Sequence, residues 1–134
     1  MQSNTTTKTE DEFISEVEDA FNESNEEDKP TKEILNLAVK AVPIIAESFD
    51  LSNLSVDAWC GCVEYWAGAI RGPVTYCDTF MNLEFGEQGA GGFAKVGTES
   101  RSVPATTDLT KLTPLIDWYR QNTEGYQTLD MRAD

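Results

Sequence analysis

Between Ser55 and Phe80 the sequence SVDAWCGCVEYWAGAIRGPVTYCDTF is the most apolar and most aromatic stretch of the chain. A stretch of that character has to lie inside whatever core the chain builds, so its local geometry decides the fold class. Val56, Trp59, Cys60, Val63, Trp66, Ala67 and Ile70 recur at spacings of three and four, the period of one helical face. Ser55 is suited to cap such a helix, with Asp57 near its positive end, while Gly72 and Pro73 supply a stop. These signals predict a central helix over about residues 56–71.

Two glycines inside that helix need a reason, because each costs about 1 kcal/mol relative to alanine. Gly61 and Gly68 are seven residues apart and so share a helical face, close to Tyr65. The three are expected to form a helix-packing or oligomer contact where a second helix approaches closely.

Around this centre the chain reads as further helices. Thr9 and Glu12 fit a capping box ahead of Phe13, Ile14, Val17, Ala20 and Phe21, which predicts a helix over about residues 10–22. Thr31 caps a second run, Ile34 to Ala46, which is apolar on most of its circumference, with Pro43 predicted to kink or break it. Residues 73–85 suit a helix with proline at its first position, although their Val, Thr, Tyr and Phe content also suits a strand. Five glycines in residues 86–97 suggest a mobile loop resembling G-x-G-x-x-A at Gly89, Gly91 and Ala94, but without the strand and helix that a dinucleotide site requires. Residues 98–107 read as irregular, and a last helix begins near Thr113 and Pro114. The fold class expected is therefore all-α: four or five helices in one domain over residues 10–134, after a disordered polar terminus at 1–9.

Composition narrows function by exclusion. The 134 residues carry a net charge of −14, which disfavours direct contact with nucleic acid or an anionic membrane surface. No N-terminal run combines a basic segment with an apolar one, and no apolar run is long enough to span a bilayer, so a cytoplasmic protein is expected. There is no histidine, which removes the commonest general base and the nucleophile pairs that depend on it. An enzyme is not expected, and neither is a cofactor. The three cysteines, Cys60, Cys62 and Cys77, read as buried structural thiols; a thiol-based metal or redox protein built on them is the alternative.

Charge is concentrated at the start. Residues 1–30 hold ten acidic and two basic side chains, and Glu12, Glu16, Asp19 and Glu23 fall on one helical face. That face suits a basic protein partner. The expected function is a non-enzymatic inhibitor or adaptor that occupies a basic, nucleic-acid-binding surface, in the setting of viruses and mobile elements. A self-associating assembly subunit, using the central segment, is the competing expectation.

Overall fold

In the computed structural model, residues 8–70 and 79–129 are described. Helices α1 (Glu10–Glu23) and α2 (Lys32–Ala46) are followed by an antiparallel meander, β1 (Ser55–Trp59), β2 (Cys62–Ile70), β3 (Thr79–Gly86), β4 (Gly89–Val96) and β5 (Glu99–Thr106). The chain then forms α3 (Leu112–Asn122) and a short strand β6 (Gln127–Leu129). The strands lie in the order β1-β2-β3-β4-β5, and β6 pairs with β2 on the same edge as β1. The molecule is thus a mixed α/β protein with a six-stranded antiparallel sheet, not the all-α bundle that the periodicity suggests.

The first helices follow their sequence signals. Thr9 Oγ1 accepts from Glu12 N–H at 3.1 Å while the Glu12 carboxylate accepts from Thr9 N–H at 2.8 Å, a reciprocal capping box that fixes the start of α1. Phe13, Val17 and Phe21 form its buried stripe. Lys29 Nζ donates to the Phe21 carbonyl at 2.9 Å and satisfies the far end. In α2 the buried residues are Ile34, Ala38, Ala41, Val42 and Ile45, and the helix continues through Pro43, which faces solvent.

The predicted central helix is instead a β-hairpin. Cys60 and Gly61 both take positive φ, 54° and 79°, the signature of a two-residue type I′ turn whose twist matches that of paired strands. Trp59 pairs with Cys62 across it, and Ser55, the supposed helix cap, lies opposite Trp66. The physical reason is an alternation that the helical spacing overlaps: Val63, Tyr65 and Ala67 point to one face of the sheet, and their neighbours Glu64, Trp66 and Gly68 to the other. Gly61 is therefore not a site of close approach. An added Cβ would meet nothing within 4 Å, and the glycine is needed for its backbone angle. Its N–H donates to the Asp28 carbonyl at 2.9 Å, which ties the hairpin tip to the α1–α2 connection.

Residues 79–85, expected to be helical, belong to β3, where Thr79, Met81, Leu83 and Phe85 alternate inward. Residues 73–78 of that expectation, Cys77 among them, lie outside the described residues. The glycine-rich segment is not a loop: Gly89–Val96 is the fourth strand, hairpinned to β3 through Glu87 and Gln88 and to β5 through Gly97 and Thr98. Residues 99–106, read as irregular, are β5.

All three helices pack on one side of the sheet. Phe13, Val17, Ile34, Ala38, Val42, Ile45, Leu112, Leu115, Ile116 and Tyr119 meet Val63, Tyr65, Met81, Leu83, Phe85 and Ala94 there. Tyr65 anchors this layer. Its ring packs edge-on to Phe13 with centroids 5.0 Å apart and against Phe85 at 4.8 Å, and its hydroxyl donates to the Ala38 carbonyl of α2 at 2.7 Å. Among the described residues no helix covers the opposite face.

Candidate functional site: the open face of the sheet

Antiparallel partners lie side by side on one face with Cβ atoms about 4.5–5.5 Å apart, so the strand register sets out the open face in rows. One row runs Asp57–Glu64–Glu84–Gly91 across β1 to β4. The next row is Ser55–Trp66–Asn82–Phe93–Ser102, and beyond it lie Gly68, Phe80, Lys95 and Ser100. On the other side of the carboxylates stand Trp59 and Cys62. Three carboxylates in line are thus bracketed by a tryptophan on each side.

The aromatics form a connected strip. Trp66 and Phe80 have ring centroids 6.1 Å apart, and Phe80 and Phe93 5.7 Å, each pair tilted. Trp59 is 53% exposed and Phe93 39%, the two most exposed large apolar side chains in the core-and-surface balance of the described residues. Elsewhere the chain hides such groups: Tyr65 and Phe85 are fully buried.

Like charges facing each other across strands repel, and the chemistry of Glu64 shows it. Partial burial, followed by the neighbouring charge of Glu84 and then that of Asp57, raises its carboxyl above the ordinary range; the nearby polar groups of Trp66 and Trp59 partly offset this. The Cys62 thiol is pushed up to about 11, by burial first and the Glu84 charge second. At neutral pH it is a protonated thiol and a poor nucleophile.

Beside Glu84 the row opens into a groove of about 410 Å³ lined by Asn82, Glu84, Gly91, Phe93, Val103 and Ala105 among others. Its floor is glycine because nothing else fits. A Cβ on Gly91 would lie 2.7 Å from the Val103 carbonyl oxygen and 3.0 Å from the Ala105 amide nitrogen, where β5 bulges against β4. A second concavity, of about 480 Å³, lies between the start of α1 and the end of α2, lined by Lys8, Glu10, Glu47 and Asp50 with their neighbours. Its cation, Lys8, is already paired with Glu16 at 2.8 Å.

The residues singled out from sequence are dispersed. Glu12 is engaged in the capping box and Glu16 in the pair with Lys8, while Asp19 and Glu23 are exposed on α1, in the helix layer. Gly61, Tyr65 and Gly68 do not form a helix-packing contact. Gly61 is in a turn, Tyr65 is buried in the core, and Gly68 is a strand residue opposite Phe80 and Leu129. Cys60 is exposed at the turn and Cys62 is half-buried, so neither is the deeply buried thiol expected. Among the described residues no group of three or more Cys, Asp or Glu side chains is arranged to hold a metal ion, and no helix is long and apolar enough to cross a membrane.

The row that the fold does assemble, Asp57, Glu64 and Glu84 with Trp59 and Trp66, was hidden because it spans three strands. The one signal in the sequence was the placement of Trp59, Glu64 and Trp66 around a Cys-Gly dipeptide. A paired acid with a raised pKa is an ingredient of general acid–base catalysis, but Glu84 is exposed and no cleft of the described residues closes over the pair. The arrangement is better suited to holding a cation than to excluding water from a reaction. No known protein family matches the chain, and no curated protein or solved structure shows significant similarity to it.

Proposed function

We propose that this chain is a non-catalytic cytoplasmic protein that acts by binding a basic protein on the open face of its sheet, as an inhibitor or adaptor of a surface built for nucleic acid. The observation that carries the proposal is the row Asp57–Glu64–Glu84 set between exposed aromatic side chains. Carboxylates give such a face its charge preference and on-rate, while rings supply the buried apolar area that affinity requires. The acidic stripe of α1 lies in the helix layer and adds to the long-range field that draws in a cationic partner.

Self-association through the same face is disfavoured by its own charge. A two-fold contact would set this carboxylate row against its copy, and like-charge juxtaposition costs several kcal/mol. A basic partner relieves the repulsion within the row instead.

Any polycation will be drawn to a protein of net charge −14, so the test compares variants of equal charge. Binding of protamine, an arginine-rich nucleic-acid-packaging protein, is measured by titration calorimetry at low and physiological salt. Glu64→Gln/Glu84→Gln and Asp19→Asn/Glu23→Gln each remove two charges. Loss of affinity of about tenfold or more in the first and little change in the second supports the sheet face. Equal losses, or no binding at physiological salt, would refute it.

A further inference from the structure

We infer that the open face selects arginine over lysine, taking a guanidinium flat against the Trp59 indole with its N–H edge on the Glu64–Glu84 pair. This inference rests on the sheet-face reading above and specifies the partner chemistry within it.

Three features of the face favour the guanidinium. The first is the ring. Trp59 is 53% exposed and stands opposite Cys62, beside the carboxylate row, which leaves ring surface free for stacking. A planar, weakly hydrated guanidinium stacks on indole, whereas an ammonium holds its water more tightly and has no plane to stack. The second is the spacing of the acids. Glu64 and Glu84 are direct cross-strand partners, so their carboxylates offer acceptors on adjacent strands to a fork of five donors, and an ammonium with three donors on one atom spans them less well.

The third is solvent exposure. Glu84 is exposed and borders the glycine-floored groove, so an arginine can reach the pair from solvent. The same chain already makes a stack of this kind elsewhere. Arg101 holds its guanidinium 4.7 Å from the Trp118 ring centre, on the helix-covered side of the sheet.

The three tryptophans give a direct readout, because Trp59 and Trp66 border the row and Trp118 does not. Oligo-arginine and oligo-lysine peptides of equal length are titrated into the isotopically labelled protein, and the three indole N–H resonances are followed. The expected result is that the Trp59 and Trp66 signals move while Trp118 stays fixed, with oligo-arginine binding about two- to fivefold more tightly. Trp59→Ala abolishes the preference and Trp59→Phe retains part of it; because Trp59 is exposed, both variants keep the fold, and the fixed Trp118 signal verifies this. Equal affinity for both peptides, with both weakened by Glu64→Gln/Glu84→Gln, overturns the arginine preference and leaves the binding face standing. Failure of either peptide to move Trp59 and Trp66 overturns both. A neutral oligosaccharide that moves those signals where the cationic peptides do not would also overturn both, and would make the aromatic strip a sugar platform.

Discussion

Gly91→Ala is expected to destabilise the protein, and the sign of the effect separates a strand glycine from a loop glycine. An alanine Cβ there would lie 2.7 Å from the Val103 carbonyl oxygen, 3.0 Å from the Ala105 amide nitrogen and 3.2 Å from the Ala105 Cα. All three atoms are backbone, so no rotamer change relieves the overlap and β5 has to move. Two gains oppose this: burial of a methyl group is worth about 0.8 kcal/mol, and the stiffer unfolded chain about 0.4–1 kcal/mol. Forced overpacking costs about 1–3 kcal/mol and each ladder hydrogen bond lost about 0.5–1.5 kcal/mol more, so with one bond lost the mid-range values leave a net loss of about 1.5 kcal/mol. For a chain of this size each kcal/mol lowers the melting midpoint by roughly 3–6 °C. Thermal and urea unfolding, followed by tryptophan fluorescence, measure it. An unchanged or raised midpoint is what a glycine in a mobile loop produces, and it would refute the pairing of β4 with β5.

Further outcomes follow from the same structure. Tyr65→Phe removes the buried hydroxyl bonded to the Ala38 carbonyl and is expected to cost about 1 kcal/mol in urea unfolding, since a buried acceptor loses a partner without loss of ring packing. Glu64 has a raised pKa in the folded state, so the folded protein takes up a proton before the unfolded chain does. Stability from this group is gained as pH falls through the folded pKa and lost as pH rises above it. Glu64→Gln is therefore expected to raise the melting midpoint at neutral pH, with the advantage shrinking on acidification through the carboxylate range; a constant difference would contradict the assignment. Cys60 is exposed while the Cys62 thiol is pushed up to about 11. Alkylation at neutral pH, read by peptide mass spectrometry, is expected to label Cys60 roughly tenfold faster or more.

The helices were legible because their signals act over one or two turns. Thr9 with Glu12, Thr31, and the apolar stripes of α1, α2 and α3 are local patterns, and the structure keeps them. The sheet was not legible for two physical reasons. Trp59, Trp66, Phe80 and Phe93 put large apolar groups on the open face, so β2 and β3 lack the apolar-in, polar-out alternation that identifies a half-buried strand. Apolar residues on both faces then match a helical spacing by coincidence, as Val56, Trp59, Val63, Trp66 and Ile70 do. The turn was disguised as well, because Cys60 occupies a positive-φ position usually filled by Asn, Asp or Gly. Gly91 reads as flexibility in sequence and proves to be a steric requirement in the sheet. The candidate site shares this cause: Asp57, Glu64 and Glu84 become neighbours only when three strands pair in register.

The division of the outer edge of β2 between two strands bears on how the protein fails. Ser55–Trp59 covers Cys62–Trp66, and Gln127–Leu129, arriving from the other end of the sequence, covers Gly68–Ile70. The opposite border of the sheet is β5, which carries Glu99, Arg101 and Pro104, charges and a proline that discourage a foreign strand from docking. Gly68, Ala69 and Ile70 have no such protection of their own. A chain cleaved after Tyr126 would keep its helices and hairpins but present an uncharged row of backbone donors and acceptors, a template for intermolecular pairing. Among the described residues β6 is the guard of this edge, and its removal by a protease is expected to turn the fold into a seed for insoluble assemblies.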